Sequence, residues 1–170
     1  MHHLKQALQI KLAAASKIVL LAVGSDLRGD DAAGLLVAER LQSKTSDKFQ
    51  ILIGGTAPEN LTGEIKRLKP SHLLIVDAAN MKVAPGTVQI LSHQEIGGSS
   101  FSTHALPLKV MIDYILVDHP CEVIVITIQP QDITFDGPVS AAVKQAAELV
   151  AAAIFSAGNL GNLDGGGAAA

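Results

Sequence analysis

Residues 17–31 read KIVLLAVGSDLRGDD, and the first half of that stretch decides the fold class. From Ile18 to Val23 every residue is apolar, and Gly24 closes the run. A strand with one wet face would alternate apolar and polar residues. An unbroken apolar run suits a strand buried on both faces, as in a parallel sheet covered by helices. The chain then turns helical over 31–44, with Leu35, Leu36, Ala38 and Leu41 forming an apolar stripe and Glu39 and Arg40 facing outward. The same alternation continues along the chain. Strands are expected at 49–54, closed by Gly54-Gly55, and at 72–77. A helix over 58–69 lies between them and is ended by Pro70. Past the Pro85-Gly86 turn, 87–91 is shorter and more alternating, which suits an antiparallel strand. A helix over 107–116 with Pro107 at its first position, a strand over 122–129 and an Ala-rich helix over 140–155 capped by Ser140 complete the series. The expected fold is α/β: three layers, with a twisted, mostly parallel five-stranded sheet and helices on both faces.

The 170 residues fit one domain. Residues 17–157 form it, 1–16 read as a helical extension, and the Gly/Ala-rich 158–170 read as a flexible tail. With 48% hydrophobic and 17% charged residues the chain is too apolar for intrinsic disorder, and with 3% aromatics its core is aliphatic. The net charge of −3, without clustered Lys or Arg, argues against nucleic-acid binding. Cys121 is the sole cysteine, so no internal disulfide forms; it precedes the apolar run 123–128 and reads as a small buried hydrophobe. Lys11 interrupts what would be the core of a signal peptide, and no apolar run approaches the roughly 20 residues of a membrane span. No membrane insertion and a cytoplasmic location are expected. Leu4, Leu8, Leu12 and Ala15 recur at helical spacing, so 1–16 suits a helix docking on the domain or on a partner.

Several familiar motifs fail. The glycines of Gly24-Ser-Asp-Leu-Arg-Gly29 stand where a phosphate loop would, but Asp30 and Asp31 follow in place of Lys and Ser/Thr, and two carboxylates repel phosphate. No G-x-G-x-x-G, G-x-S-x-G or H-E-x-x-H occurs at the matching junctions. In an open α/β sheet, ligands bind beyond the carboxyl ends of the strands. Asp30 and Asp31 follow the first strand, Asp77 ends the third, Ser102-Thr103-His104 precedes the fourth helix, and Gln129-Pro130 ends the last strand. Singly, each has a plain structural role: Asp30 or Asp31 as a carboxylate near a helix N-terminus, worth about 0.3–1 kcal/mol, Asp77 as a loop cap, His104 as a loop histidine. As a set, two aspartates and a histidine are ligands for a borderline divalent metal such as Zn²⁺ or Ni²⁺, with a coordination position left open. On these residues alone the chain is a metal-associated α/β hydrolase or a binding protein.

The ordered blocks Gly24–Asp31, Gly54-Gly-Thr-Ala-Pro-Glu-Asn60, Leu73-Leu-Ile-Val-Asp77 with Met81 and Pro85-Gly86, Thr103-His104 with Pro107-Leu108, and Ile128-Gln129-Pro130 resemble those of the maturation endopeptidases of [NiFe] hydrogenases, most closely the hydrogenase-3 type. The resemblance covers roughly 17–155. It implies a hydrolase that removes a short C-terminal extension from the precursor large subunit of a [NiFe] hydrogenase after nickel insertion. It also implies that Asp31, Asp77 and His104 are the metal-contacting and catalytic residues, and that the nickel belongs to the substrate, so no permanent cofactor is expected. Asp30 carries no assigned role. Self-association is left open. The rival functions are a non-proteolytic nickel-sensing chaperone of the large subunit and a hydrolase holding its own zinc.

Overall fold

β1 (Ile18–Val23) is an inner strand of the sheet with all six side chains buried. The computed structural model describes residues 2–96 and 105–158. Within them β1 joins β2 (Phe49–Gly55), β3 (His72–Ala78), β4 (Val88–Ser92) and β5 (Glu122–Ile128) in one sheet of order β2-β1-β3-β5-β4. All pairings are parallel except that of β4 with β5. The helices are α1 (His2–Leu12), α2 (Ala33–Leu41), α3 (Thr62–Leu68), α4 (Ala105–Asp118) and α5 (Ala141–Ala157).

Successive residues of a strand point to opposite faces, and β1 divides accordingly. Ile18, Leu20 and Ala22 enter one core with Leu8 and Leu12 of α1, Val37 of α2 and Val143 and Val150 of α5. Val19, Leu21 and Val23 enter the other with Ile65 of α3 and Ile112 and Ile115 of α4. Complete burial of such a side chain is worth about 1.5–3 kcal/mol. This two-sided demand explains the unbroken apolar run. The three-layer, mostly parallel five-stranded sheet expected from the sequence is the one observed, including the antiparallel edge strand.

Several helix bounds differ from the sequence-based expectation; the helix expected over 58–69, for one, is a 3-10 turn, Pro58–Leu61, followed by α3. α4 begins at Ala105, so Pro107 is its third residue rather than its first. A proline in the first turn lacks only an amide hydrogen that has no intrahelical partner there. The helical path after β1 opens with a separate 3-10 turn, Gly29–Ala32, before α2. The amphipathic N-terminus docks on the domain itself, where α1 lies along α5 with Leu8 and Leu12 buried. No helix among the described residues is long and apolar enough to cross a membrane. Residues 159–170 of the expected tail lie outside the described residues.

The strand order positions the site. The chain leaves β1 for β2 on one side and returns past β1 to β3 on the other, so the order reverses between β1 and β3. The crevice of an α/β sheet opens at the carboxyl ends of such a pair. α2 lies directly over it: a Cβ on Gly34 would stand 2.3 Å from the carbonyl oxygen of Val76 and 2.4 Å from that of Val23. Only a glycine lets the helix backbone rest on the two strands at once.

Candidate active site

Asp77 is the next-to-last residue of β3 and is 3% exposed. Among the described residues its Oδ1 has no hydrogen-bond partner. Burial, and after it the negative charge of Asp31, push its carboxyl up to about 7, against the opposing pull of the Ala78 backbone N–H. Asp31 is buried on the 3-10 turn Gly29–Ala32, which lies against β3. Among the described residues neither carboxylate enters an ion pair. A carboxyl as buried as that of Asp77, with a second acid nearby, is stabilised by a proton or by a cation. The donor chemistry and the orphaned oxygen fit a divalent metal presented from outside.

The loop that delivers Asp31 depends on glycine geometry. Gly24 has φ +130°, and a Cβ there would fall 1.9 Å from the carbonyl oxygen of Asp31. The chain leaving β1 thus folds beneath the residue it is about to place. The amide of Gly24 donates to Gly55 O at 2.9 Å, which ties this turn to the end of β2.

Asp30 does not cap a helix. The 3-10 turn has Arg28 and α2 has Ala32 at the N-cap position, and neither makes a side-chain capping bond. Asp30 points away into the protein, 0% exposed. Its Oδ1 accepts from the amide of Ser140 at 2.6 Å, and its Oδ2 accepts from the amide of Gln131 at 2.7 Å, the hydroxyl of Ser140 at 2.9 Å and the amide of Asp132 at 3.2 Å. No sequence signal pairs it with partners more than a hundred residues away.

The sequence puts Gln129 at the carboxyl end of the last strand, and it follows β5 directly. Its Oε1 accepts from the amide of Met81 at 2.7 Å and its Nε2 donates to Pro130 O at 2.9 Å. The Thr127 hydroxyl reaches Met81 Sδ at 3.1 Å. Together they brace the loop that follows Asp77. An amide ending an otherwise apolar strand is the sequence signal for such a brace. His104 lies outside the described residues. Two other histidines are committed elsewhere: His72 Nδ1 pairs with Ser71 Oγ at 3.0 Å and His119 Nε2 with Pro70 O at 2.7 Å. Cys121 is half-buried, and burial together with Glu122 pushes its thiol up to about 11, which keeps it unreactive.

The state of Asp77 makes the fold sensitive to pH. Between its unfolded value of 3.8 and its folded value of about 7, the folded protein holds a proton that the unfolded chain releases. This contribution to stability is complete below pH 4 and is lost as pH rises through 7. Denaturant melts of the metal-free protein are expected to show Asp77→Asn equal to wild type near pH 4 and more stable at pH 8. An unchanged difference across that range would contradict the assignment.

A covered, mostly parallel sheet with a buried acidic pair at its switch point defines an α/β domain with a candidate site at the carboxyl ends of β1 and β3. The model for hydrogenase maturation proteases matches residues 35–157, a span that holds Asp77 and begins just past Asp31. The hydrogenase 3 maturation protease of Escherichia coli is 39% identical over 133 residues, covering 78% of this chain and 85% of that one. A putative hydrogenase maturation protease of Methanocaldococcus jannaschii is 36% identical over 149 residues, covering 83% and 88%. The crystal structure of a [NiFe] hydrogenase maturation protease from Thermococcus kodakarensis superposes with a TM-score of 0.83 at 32% identity, covering 90% of this chain and 99% of that one. The chain belongs to the hydrogenase maturation protease family, and its enzymatic class is that of a peptidase.

Proposed function

We propose that the protein is an endopeptidase that removes the C-terminal extension of a [NiFe] hydrogenase large-subunit precursor once nickel is in place, and that it recognises its substrate through that nickel. The observation that carries this is the buried Asp77 carboxylate beside Asp31, with an oxygen left unpartnered among the described residues. Such a pair gains far more from a divalent cation than from a neutral peptide. A precursor lacking nickel offers the pair no cation. Selection of loaded over empty precursor is then a difference of affinities, as any such checkpoint requires. Asp31 and Asp77 contact the metal from the strand ends, and His104, assigned by the family resemblance, is the third ligand. Cleavage follows by one of two routes: the nickel polarises the scissile carbonyl or activates water, or an aspartate takes the proton of the attacking water.

The test is incubation of the purified precursor, with and without nickel, followed by the mass of the released peptide. Release confined to the loaded precursor is the expected result. Release from both would remove nickel from recognition. Binding without release would make the protein a nickel-sensing chaperone, and a stoichiometric zinc in the isolated protein would favour a resident-metal hydrolase.

A further inference from the structure

We propose that Asp30 is a positioning residue of the active site: its buried carboxylate clasps the 131–140 segment to the 3-10 turn Gly29–Ala32 and so holds Asp31 beside Asp77. The assignment rests on the function proposed above. A single 3-10 turn of four residues without a side-chain cap does not hold its shape in water. Here it is held from outside. Asp30 receives the amides of Gln131, Asp132 and Ser140 and the hydroxyl of Ser140. The amide of Asp30 donates in return to Asp132 O at 2.9 Å, and the amide of Asp136 donates to Leu27 O at 2.8 Å, so the two segments are stitched in both directions. Gly29, with φ +50°, seals the contact, since a Cβ there would stand 2.7 Å from Asp132 O.

Both oxygens of Asp30 accept hydrogen bonds from the 131–140 segment, four in all. It is fully buried, with one protein donor on its Oδ1 and three on its Oδ2, so it acts through its neighbour. Asp31 is the next residue, and consecutive Cα atoms are about 3.8 Å apart; any loosening of Asp30 is passed directly to the Asp31 carboxylate. In a site built on aligned ligands, a misplacement of about 1 Å costs on the order of 100-fold in rate.

The substitution that tests this is Asp30→Asn. The amide is nearly isosteric, but whichever way it is turned it presents N–H groups to N–H donors. The milder Ser140→Ala deletes one of the four bonds, together with the α5 cap bond from the amide of Val143 at 3.3 Å, and serves where Asp30→Asn fails to fold. Two readouts are taken on the full chain: hydrogen exchange at the amides of Gln131, Asp132 and Ser140, and kcat and KM for nickel-loaded precursor. Faster exchange at those amides with the β1 and β3 amides unchanged, and kcat lower by about 10- to 100-fold with KM nearly constant, is the expected result. Wild-type kcat in a variant whose clasp has loosened overturns the proposal, as does unchanged exchange, and so does a rise in KM alone. A wild-type protein that releases no peptide from loaded precursor sinks the proposed function itself, and the exchange measurement still reports on the clasp.

Discussion

Gly34→Ala is expected to destabilise the protein by at least about 3 kcal/mol, the upper end of ordinary overpacking, although alanine is the better helix former by about 1 kcal/mol. Gly34 lies inside α2, where propensity alone predicts a gain. The added methyl, however, would stand 2.3 and 2.4 Å from the carbonyl oxygens of Val76 and Val23 and 2.9 Å from the amide nitrogen of Val23. All three are backbone atoms of the central strands, so no side chain can swing aside. The helix must lift from the sheet, opening the core formed by Val37, Ala38 and Leu41 with β1 and β3. Total stabilities are about 5–15 kcal/mol, so the variant would be largely unfolded on mild heating. Gly63→Ala is the internal control. It also replaces a helical glycine, in α3, but its Cβ meets nothing within 4 Å. That variant is expected to gain a few tenths to about 1 kcal/mol. Denaturant melts of the two should move in opposite directions; movement in the same direction would refute the packing account of α2.

The contrast between these glycines shows where the sequence is informative. Nothing local distinguishes Gly34 from Gly63, because what differs is a strand backbone brought near by the fold. Periodicity, by comparison, is local. The run Ile18–Val23 announces a strand covered on both sides, and Leu4, Leu8 and Leu12 announce the helix that lies on α5. The sheet edge at β4 was legible for the same reason, since it is short and its residues are half-buried apart from the exposed Gln89. The site was legible in part. Asp31 and Asp77 stand out in the sequence because ligands bind at the carboxyl ends of parallel strands, and the structure buries both there. Asp30 and Asp31 look equivalent in the run Gly29-Asp30-Asp31. The 3-10 turn sends one carboxylate toward β3 and the other into the 131–140 segment, and that division is a tertiary fact. The bracing role of Gln129 is of the same kind: its end-of-strand place was visible, and its hold on Met81 was not.

The second large effect is a loss of activity coupled to a gain in stability. Asp77→Asn and Asp31→Ala are each expected to lower cleavage of nickel-loaded precursor by more than about 100-fold, since even the outer-shell partners of metal ligands cost 10–100-fold. At neutral pH and above, the same Asp77→Asn protein should be more stable than wild type. Raising a carboxyl from 3.8 to about 7 corresponds to a penalty on the order of 4 kcal/mol once the group ionises, and the amide never ionises. A residue kept for folding alone would show the reverse, with lost stability driving lost activity. Opposite signs in one variant therefore mark a carboxylate held at a cost to the fold for the sake of function, the pattern expected where activity depends on a destabilised site. Nickel sharpens the comparison. If the precursor's nickel neutralises the Asp31–Asp77 pair, wild type should bind loaded precursor more tightly than empty precursor, and Asp77→Asn should lose most of that preference. Equal preference in both proteins, or cleavage by Asp77→Asn near the wild-type rate, would remove Asp77 from the reaction and leave its burial without a functional account.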